Sequence, residues 1–502
     1  MALTFTPPQV VAGEAEHHDA AARLNEDVVT DALEALLGTV RGATAYRRIL
    51  LRAAAGAGKS HALKRMVTEV LGSPHCSRVA VAASANKQLY PLAHGLGEAL
   101  GKDVVCLFSA EKKLGGVPQH VWDTVTVVHK SQDVPDTARV VLSTAHRLGV
   151  PSEHDRLLAR LGPAANGDTA FDVLFVDEAW QMPRYLYGRI EPVAPVAVGV
   201  GDVGQLPPID GDANPWRGDP GYNPYRAWPD TFPADSDTWT RELPTVWRPR
   251  AEQLALWRAF YTDWQHLTCV MAPGDRAMEV LGVDDEPGEV WGAIATGVPT
   301  LLEVSGLPDP EAPDVDPDLL AVVGEIVEAA LSGDLRFSSA RMAEGRPTGE
   351  QGTWGLRDAD GGDPAIAILA TRNQQVDDAH RLVESLVEKH DLAEGVLVAS
   401  TVDSWQGQTN AVTIGIHPLS GAESLDEFNS AFGRLAVVCT RATHGLLLVA
   451  RSGVDELLQE AAARPGTPLG EPGVRQLPRQ THARILKAFA RGSWGLPARV
   501  ST

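Results

Sequence analysis

The chain has 502 residues, of which 44% are hydrophobic and 22% are charged, as is typical of a soluble globular protein. The formal net charge of −21 disfavours indiscriminate binding to nucleic acid, because Lys and Arg supply the non-specific affinity for phosphates. A binding channel with locally positive walls is still compatible with that charge. No signal peptide, membrane-length apolar stretch or CxxC pair is evident, so we expect a cytoplasmic protein without membrane contact or zinc.

The first half of the chain carries a helical pattern followed by an alternating one. Residues 1–46 include DVVTDALEALLGTV, whose apolar spacing predicts a helical N-terminal segment. Residues 47–245 alternate short apolar runs with helical patterns, which predicts a first α/β domain on a parallel sheet. The runs are RRILLRA, RVAVAAS, DVVCLFS, RVVLST, DVLFVDE and VAVGVGD.

A second α/β domain is predicted from residues 246–273 and 362–475, which contain AIAILATRNQ, VLVASTVDSWQG and HGLLLVAR. Residues 274–361 separate the two parts and are rich in Asp, Glu and Pro. We predict that they form an insertion, partly flexible, that is a candidate docking surface for a protein partner. Residues 476–502 are predicted to be a basic tail, which has no acidic residue from Arg479 onward.

The segment AAAGAGKSHALKRM follows the apolar run RRILLRA and leads into a helical pattern. The arrangement of strand, small-residue loop and helix is typical of a phosphate-binding loop, in which backbone N–H groups surround the phosphates. Lys59 would pair with phosphate oxygens and Ser60 would ligate Mg²⁺, although Ala53 stands where the usual pattern has glycine. The small residues of the loop are Gly56, Ala57 and Gly58.

The segment DVLFVDEAWQM is an apolar run that ends in two acidic residues. A nucleotide hydrolase needs such a pair, because one carboxylate holds Mg²⁺ and the other polarises the attacking water. We assign these roles to Asp177 and Glu178, respectively.

The stretch VAVGVGDVGQLPPID places Gln205 just beyond the end of a predicted strand, at the sheet edge where α/β proteins bind ligands. Gly-Asp-x-x-Gln-Leu-Pro-Pro after an Asp-Glu strand resembles motif III of superfamily 1 helicases. The resemblance implies that Gln205 senses the γ-phosphate, and an amide can do so by hydrogen bonding without adding charge. The Gln-Leu-Pro-Pro form leans towards the branch of this superfamily that translocates 5′ to 3′.

Two further segments of the first domain resemble motifs that contact nucleic acid in this superfamily. SANKQ, residues 84–88, resembles motif Ia, and LSTAHRL, residues 142–148, resembles the next such motif. The resemblance implies that Ser84, Asn86 and Thr144 touch the nucleic-acid backbone. A Ser or Thr that follows a strand is equally typical of a helix cap.

The second domain resembles the same superfamily in three segments. ELPTVWRPR and FGRLAVVCTRATHGLLLV match the segments whose arginines reach the γ-phosphate, which implies these roles for Arg248 and Arg441. TVDSWQGQT resembles motif V, with Thr409 in place of the usual acid. The motif V residues implied at the nucleotide or the nucleic acid are Thr401, Trp405, Gln406 and Gly407. Trp405 and Trp247 are either base-stacking residues or buried core.

The resemblance covers roughly residues 47–270 and 362–452 and implies two RecA-like phosphate-loop domains that bind ATP and Mg²⁺ between them. The function it implies is an ATP-dependent helicase or translocase on single-stranded nucleic acid, with DNA favoured over RNA. Closure of the domains on ATP and their release on hydrolysis would move the protein along the strand. Two alternatives stay open: a nucleic-acid-stimulated ATPase that does not unwind, and a degenerate phosphate-loop scaffold protein.

Overall fold

The computed structural model describes residues 3–204, 208, 223–264, 266–310, 312, 315–358, 362–426, 429–461 and 478–496. Gln205, the predicted γ-phosphate sensor, lies outside these ranges. The helices are α1 His18–Val40, α2 Lys59–Leu71, α3 Asn86–Leu100, α4 Gln119–Thr124, α5 Ala145–Leu148, α6 Pro151–Leu161, α7 Arg184–Ile190, α8 Leu254–Phe260, α9 Glu286–Ala295, α10 Pro317–Ser332, α11 Asn373–His390, α12 Phe432–Cys439, α13 Val454–Glu460 and α14 Pro478–Leu486.

The strands alternate with these helices through most of the chain. They are β1 Phe5–Thr6, β2 Arg48–Ala53, β3 Val79–Ala83, β4 Val105–Phe108, β5 Thr126–Val128, β6 Val140–Thr144, β7 Val173–Asp177, β8 Val196–Asp202, β9 Thr238–Leu243, β10 Thr245–Val246, β11 Thr268–Cys269, β12 Arg276–Leu281, β13 Thr300–Ser305, β14 Asp334–Ala343, β15 Arg346–Gly355, β16 Ile366–Ala370, β17 Leu397–Thr401, β18 Asn410–Ile416, β19 Ala442–Arg451 and β20 Ala490–Gly495.

The described chain divides into two compact units. Residues 23–244 form one, here called the N-terminal unit, and residues 3–22 together with the described residues from 245 onward form the other, the C-terminal unit. The predicted N-terminal segment 1–46 is therefore shared between them. None of the helices in the described ranges combines the length and the hydropathy needed to cross a bilayer.

The N-terminal unit is built on a parallel sheet. Among its described residues, eight strands lie in the order β5-β4-β6-β3-β7-β8-β2-β9. Strands β3, β7 and β8 are buried along their whole length, which explains why they are continuous runs of small and apolar residues rather than alternating patterns. The apolar runs of the sequence therefore predicted the sheet, although β9, the segment TWTREL, was not among them.

A glycine in β8 sets the spacing between that strand and the turn after β7. A Cβ atom added at Gly201 would lie 2.7 Å from the backbone N of Ala179 and 2.9 Å from the ring of Trp180. Only a residue without a side chain allows this approach. The turn that follows Asp177 therefore packs directly on the end of β8.

The C-terminal unit contains a second, mainly parallel sheet. Its described strands lie in the order β1-β20-β13-β19-β18-β16-β17, and β1 runs antiparallel to β20. Beside this sheet, β12, β14 and β15 form a small antiparallel sheet. The predicted α/β class with two parallel sheets is thereby confirmed.

Two segments differ from their predicted roles as insertion and tail. Within residues 274–361, β13 lies inside the large sheet and pairs with both β19 and β20. Within residues 476–502, β20 supplies a strand of that sheet, and α14 buries Ile485 and Leu486. The acidic residues of the first segment suggested an insertion, and the basic residues of the second suggested a tail. In both segments these residues flank short elements, which become buried only when distant parts of the chain pair.

Candidate nucleotide site

The phosphate loop lies between β2 and α2 in the N-terminal unit. Gly56 and Gly58 have φ angles of 74° and 89°, left-handed values that favour glycine. Ala53 is the last residue of β2 and pairs with Asp202 and Leu243 on either side. Its φ is not positive, so the strand accommodates alanine where the usual pattern has glycine.

The loop presents the start of α2, which begins at Lys59. The residue before it, Gly58, has no side chain to bond the N–H groups of the first turn. Unbonded N–H groups and the helix dipole favour an anion at such a position. The side chain of Ser60 in the first turn is exposed, so its hydroxyl is accessible to a ligand.

Three carboxylates lie at the ends of β7 and β8, next to the loop. Lys59 Nζ is 3.6 Å from Glu178 Oε1 and 3.8 Å from Asp202 Oδ2. Asp177 is the last residue of β7 and is 6% exposed, and Asp202 is 1% exposed. Asp202 Oδ1 accepts a hydrogen bond from the Gly204 N–H at 2.9 Å. The structure thus brings together the predicted residues Lys59, Asp177 and Glu178 and adds Asp202.

Burial, together with the neighbouring Glu178, raises the pKa of Asp177 to about 7, while Lys59 acts in the opposite direction. Fully ionised, the three carboxylates would outnumber the single ammonium group by two charges. A divalent cation would offset that excess, so these residues fit Mg²⁺, with Asp177 and Ser60 as the residues that would hold it. Its chemistry would be neutralisation of charge on a phosphoryl group.

The residues in the described ranges include no group of three His, Cys, Asp or Glu side chains that could hold a metal ion. Mg²⁺ is usually bound through one or two protein oxygen ligands together with phosphate oxygens of the substrate and waters, so Asp177 and Ser60 would supply only part of its coordination beside a nucleoside triphosphate. This arrangement suits a cation that arrives with its nucleotide.

Glu178 is held in an unusual backbone conformation by its surroundings. Its φ and ψ are 49° and 48°, a left-handed conformation that costs a non-glycine residue about 1 kcal/mol or more. Gln181 Nε2 donates to Glu178 Oε2 at 3.1 Å, and Gln181 Oε1 accepts from Gln88 Nε2 at 3.3 Å. Neither glutamine was predicted to belong to the site, and the bond between them joins residues that are 93 positions apart in sequence.

The phosphate loop is also held from outside by helix α1. Asn25 is 7% exposed, and its Nδ2 donates to the Ala57 carbonyl at 2.9 Å. No sequence signal pointed to Asn25, since the bond joins residues 32 positions apart.

The two predicted arginines lie in the C-terminal unit and converge on one residue. Arg248 Nη1 donates to the Thr440 carbonyl at 3.0 Å, and Arg441 Nη2 donates to Thr440 Oγ1 at 3.1 Å. Arg441 is 1% exposed, and its Nε donates to the Val437 carbonyl at 3.1 Å. Arg441 is thus a buried, hydrogen-bonded residue of its own unit, and its role at a phosphate stays a prediction.

The predicted motif V residues form a turn after β17. Gly407 has a φ of 84°, and Gln406 beside it is half-buried. Thr401 Oγ1 accepts from the Ser404 N–H at 3.1 Å. Trp405 is half-buried, and its Nε1 donates to Asn410 Oδ1 at 3.0 Å, which leaves one part of the indole accessible.

The predicted nucleic-acid residues of the N-terminal unit follow β3 and β6. Thr144 Oγ1 accepts from the Arg147 N–H at 3.3 Å, so this hydroxyl caps α5, the alternative that the sequence left open. Asn86 is the first residue of α3, and its Oδ1 accepts from Ser109 Oγ at 3.3 Å. Ser84 precedes it and is half-buried.

No family model matches the chain, and no curated protein matches it. Among solved structures, it is similar to "The structure of PRRSV helicase", with 14% identity over 83% of this chain and a TM-score of 0.37. It is also similar to "Crystal structure of Arterivirus nonstructural protein 10 (helicase)", with 14% identity over 82% of this chain and a TM-score of 0.38. The chain spans 55% and 61% of the lengths of these two proteins. At these values, the matches define no family for the chain.

Proposed function

We propose that the chain is an ATP-dependent helicase or translocase that couples nucleotide hydrolysis to movement on single-stranded nucleic acid, with DNA as the preferred strand. The observation that carries the proposal is the position of Lys59 at the end of the phosphate loop. Its Nζ atom lies 3.6 Å from Glu178 Oε1 and 3.8 Å from Asp202 Oδ2, two carboxylates at the ends of adjacent strands. The order of motifs that resembles superfamily 1 helicases supports the nucleic-acid part.

The residues that the sequence predicted for the site have separate roles in this reaction. Lys59 binds the phosphate oxygens, Ser60 and Asp177 hold Mg²⁺, and Glu178 orients and deprotonates the attacking water. The sensing role of Gln205 and the charge-stabilising roles of Arg248 and Arg441 belong to the same proposal. The last two depend on the resemblance, since their donors are bonded within the C-terminal unit.

The loop between β3 and α3 suits the backbone of a nucleic-acid strand. Ala85 and Lys87 are exposed there, and Ala85, the residue before α3, has no polar side chain that bonds the N–H groups of the first turn. The positive end of a helix and a lysine both favour phosphate. We propose that Ser84 and Asn86 make their predicted contacts with nucleic acid at this loop. Thr144, Thr401 and Trp405 would contact the same nucleic-acid strand.

A nucleic-acid-stimulated ATPase that does not unwind is the second candidate function, because the described site would serve it equally well. The degenerate scaffold is the least supported candidate. Its evidence was the missing loop glycine, and Ala53 fits the strand at that position.

The test is ATP turnover measured alone, with single-stranded DNA and with single-stranded RNA, followed by opening of a fluorescent partial duplex. We expect DNA to raise turnover, and duplex opening to separate a helicase from an ATPase that only responds to the strand. Lys59→Ala should abolish turnover, and Lys64→Ala, on the same helix α2, is the matched control that should retain it. Flat or absent turnover with both nucleic acids would contradict the proposal.

A further inference from the structure

Glu178 is connected to the loop between β3 and α3 by a chain of hydrogen bonds through two glutamine side chains. Gln181 Nε2 donates to Glu178 Oε2 at 3.1 Å, and Gln88 Nε2 donates to Gln181 Oε1 at 3.3 Å. The Ala85 N–H donates to Gln88 Oε1 at 3.0 Å. We call this set, from Ala85 to Glu178, the glutamine relay.

The direction of every bond in the glutamine relay is fixed by its first member. A backbone N–H can only donate, so the Gln88 oxygen must face Ala85 and its NH₂ group must face Gln181. Gln181 then presents its oxygen to Gln88 and its own NH₂ group to Glu178. The carboxylate at the far end can accept this bond, so the four groups are mutually consistent in one orientation only.

The fold brings the two ends of the glutamine relay together. Gln88 lies in the first turn of α3, which follows β3, and Gln181 lies in the turn after β7, while β3 and β7 are neighbouring parallel strands. The glutamine relay therefore runs along the carboxyl edge of the sheet. One of its ends is the half-buried, left-handed Glu178, and the other is the exposed Ala85.

We propose that the glutamine relay makes the orientation of Glu178 depend on what occupies the loop at residues 84–86, so that a bound nucleic-acid strand stimulates hydrolysis through Gln88 and Gln181. The inference rests on the proposed function, since it assumes that the strand contacts this loop. Gln88 and Gln181 act as positioning residues. A phosphate that moves the Ala85 N–H changes the bond to Gln88 and, through Gln181, the position of the Glu178 carboxylate.

A purely structural role for Gln88 is the competing explanation. Gln88 is the third residue of α3, and its bond to the Ala85 N–H is half of a capping box, which glutamate forms as well as glutamine. Gln88→Glu therefore keeps the cap and removes the donor to Gln181. The Gln181 amide would then turn its NH₂ group towards residue 88 and its oxygen towards Glu178, which breaks the bond to the carboxylate.

The experiment compares the ratio of kcat with saturating single-stranded DNA to kcat without it, in the wild-type protein and in Gln88→Glu. We expect Gln88→Glu to lower this ratio by about tenfold, the equivalent of about 1.4 kcal/mol, with the KM for ATP and the melting temperature unchanged. The DNA must be saturating, because the negative charge added by Gln88→Glu weakens DNA binding but does not itself change the kcat reached at saturation. Gln181→Met, which lacks the amide, should lower the ratio equally.

Gln119→Glu is the matched control. Gln119 is an exposed residue of α4 that donates to Asp123 Oδ1 at 2.9 Å, so the same chemical change is made outside the glutamine relay and should leave the ratio as it is. If Gln88→Glu keeps the wild-type ratio at saturating DNA, the glutamine relay is refuted while the proposed function stands. A wild-type protein that shows no stimulation by DNA or RNA would instead refute the proposed function and the inference together.

Discussion

Replacing Asp177 by asparagine should stabilise the ligand-free protein at neutral and alkaline pH while abolishing hydrolysis. The carboxylate is buried at the end of β7 next to Glu178, and its pKa is raised from 3.8 to about 7. Ionisation of a buried carboxyl group opposes folding. The contribution of the protonated group to stability is therefore fully present below the unfolded pKa and is lost as the pH rises through the folded pKa. Asparagine is nearly the same size and carries no such penalty.

The pKa difference gives the size of the effect. A pKa difference of about three corresponds, at about 1.36 kcal/mol for each pH unit, to at most about 4 kcal/mol at pH 8, and structural relaxation around the charge reduces this free energy. The stability advantage of Asp177→Asn should be near zero at pH 4 and grow by up to about 1.4 kcal/mol per pH unit between about pH 4.5 and pH 6.5. For a unit of this size, each kcal/mol moves the melting temperature by about 2–4 °C.

The assay is thermal unfolding between pH 4 and pH 8.5 without nucleotide and with EDTA to remove Mg²⁺. Asp168→Asn is the matched control, because Asp168 is an exposed residue of the same unit, and its difference from wild type should be small and independent of pH. A melting-temperature difference for Asp177→Asn that is constant across the pH range, or that favours the wild-type protein at pH 8, would refute the electrostatic reasoning.

Further predictions concern the carboxylate proposed to activate water, an arginine, helix α1 and the thiols. Glu178→Gln should abolish ATP turnover while nucleotide binding persists in equilibrium dialysis, and residual turnover near the wild-type rate would exclude Glu178 as the base. Arg441→Lys should lower both turnover and melting temperature, because lysine cannot reproduce the guanidinium bonds to Val437 and Thr440, and an unchanged melting temperature would contradict the buried role of Arg441. Asn25→Ala should raise the KM for ATP about 5- to 30-fold, from the 1–2 kcal/mol expected for an unsatisfied loop carbonyl, with a smaller change in kcat; an unchanged KM would separate α1 from the loop. Burial raises the pKa of the Cys76, Cys106 and Cys269 thiols to about 12 and raises the pKa of the Cys439 thiol well above its ordinary value. Iodoacetamide at pH 8 should therefore label all four only after denaturation, and rapid labelling of the native protein would contradict this. The cysteines are Cys76, Cys106, Cys269 and Cys439.

Much of the N-terminal sheet was predictable from sequence because its central strands are buried on both faces. Such strands need apolar residues at every position, so DVLFVDE and VAVGVGD could be identified with little ambiguity. The positions of Lys59, Asp177 and Glu178 were predictable for a related reason, since Asp177 and Glu178 lie at the end of β7 and Lys59 begins the helix after β2.

The partners that complete the site depend on strand order and could not be found along the sequence. Asp202 lies beside Ala53 only because β2 and β8 are neighbours. Gln88 and Asn25 reach the site through bonds to residues 93 and 32 positions away. No local pattern distinguishes these two side chains from the exposed amides that occur on many helices.

Strand β20 was missed for a different reason. The segment ARGSWG contains arginine, serine and two glycines, and its β structure arises from pairing with β13 and β1 at opposite edges. Composition describes such a segment as a charged tail, because the contacts that order it come from residues far away in the chain.

The missing side chain at Gly201 has a consequence for how the protein tolerates mutation. Alanine is usually the mildest substitution, but here a single methyl group would collide with the backbone on which Glu178 is mounted. We expect substitution of Gly201 to be far more harmful than the distance of this residue from the reacting atoms suggests. The added methyl group would displace the Glu178 carboxylate without altering its chemistry.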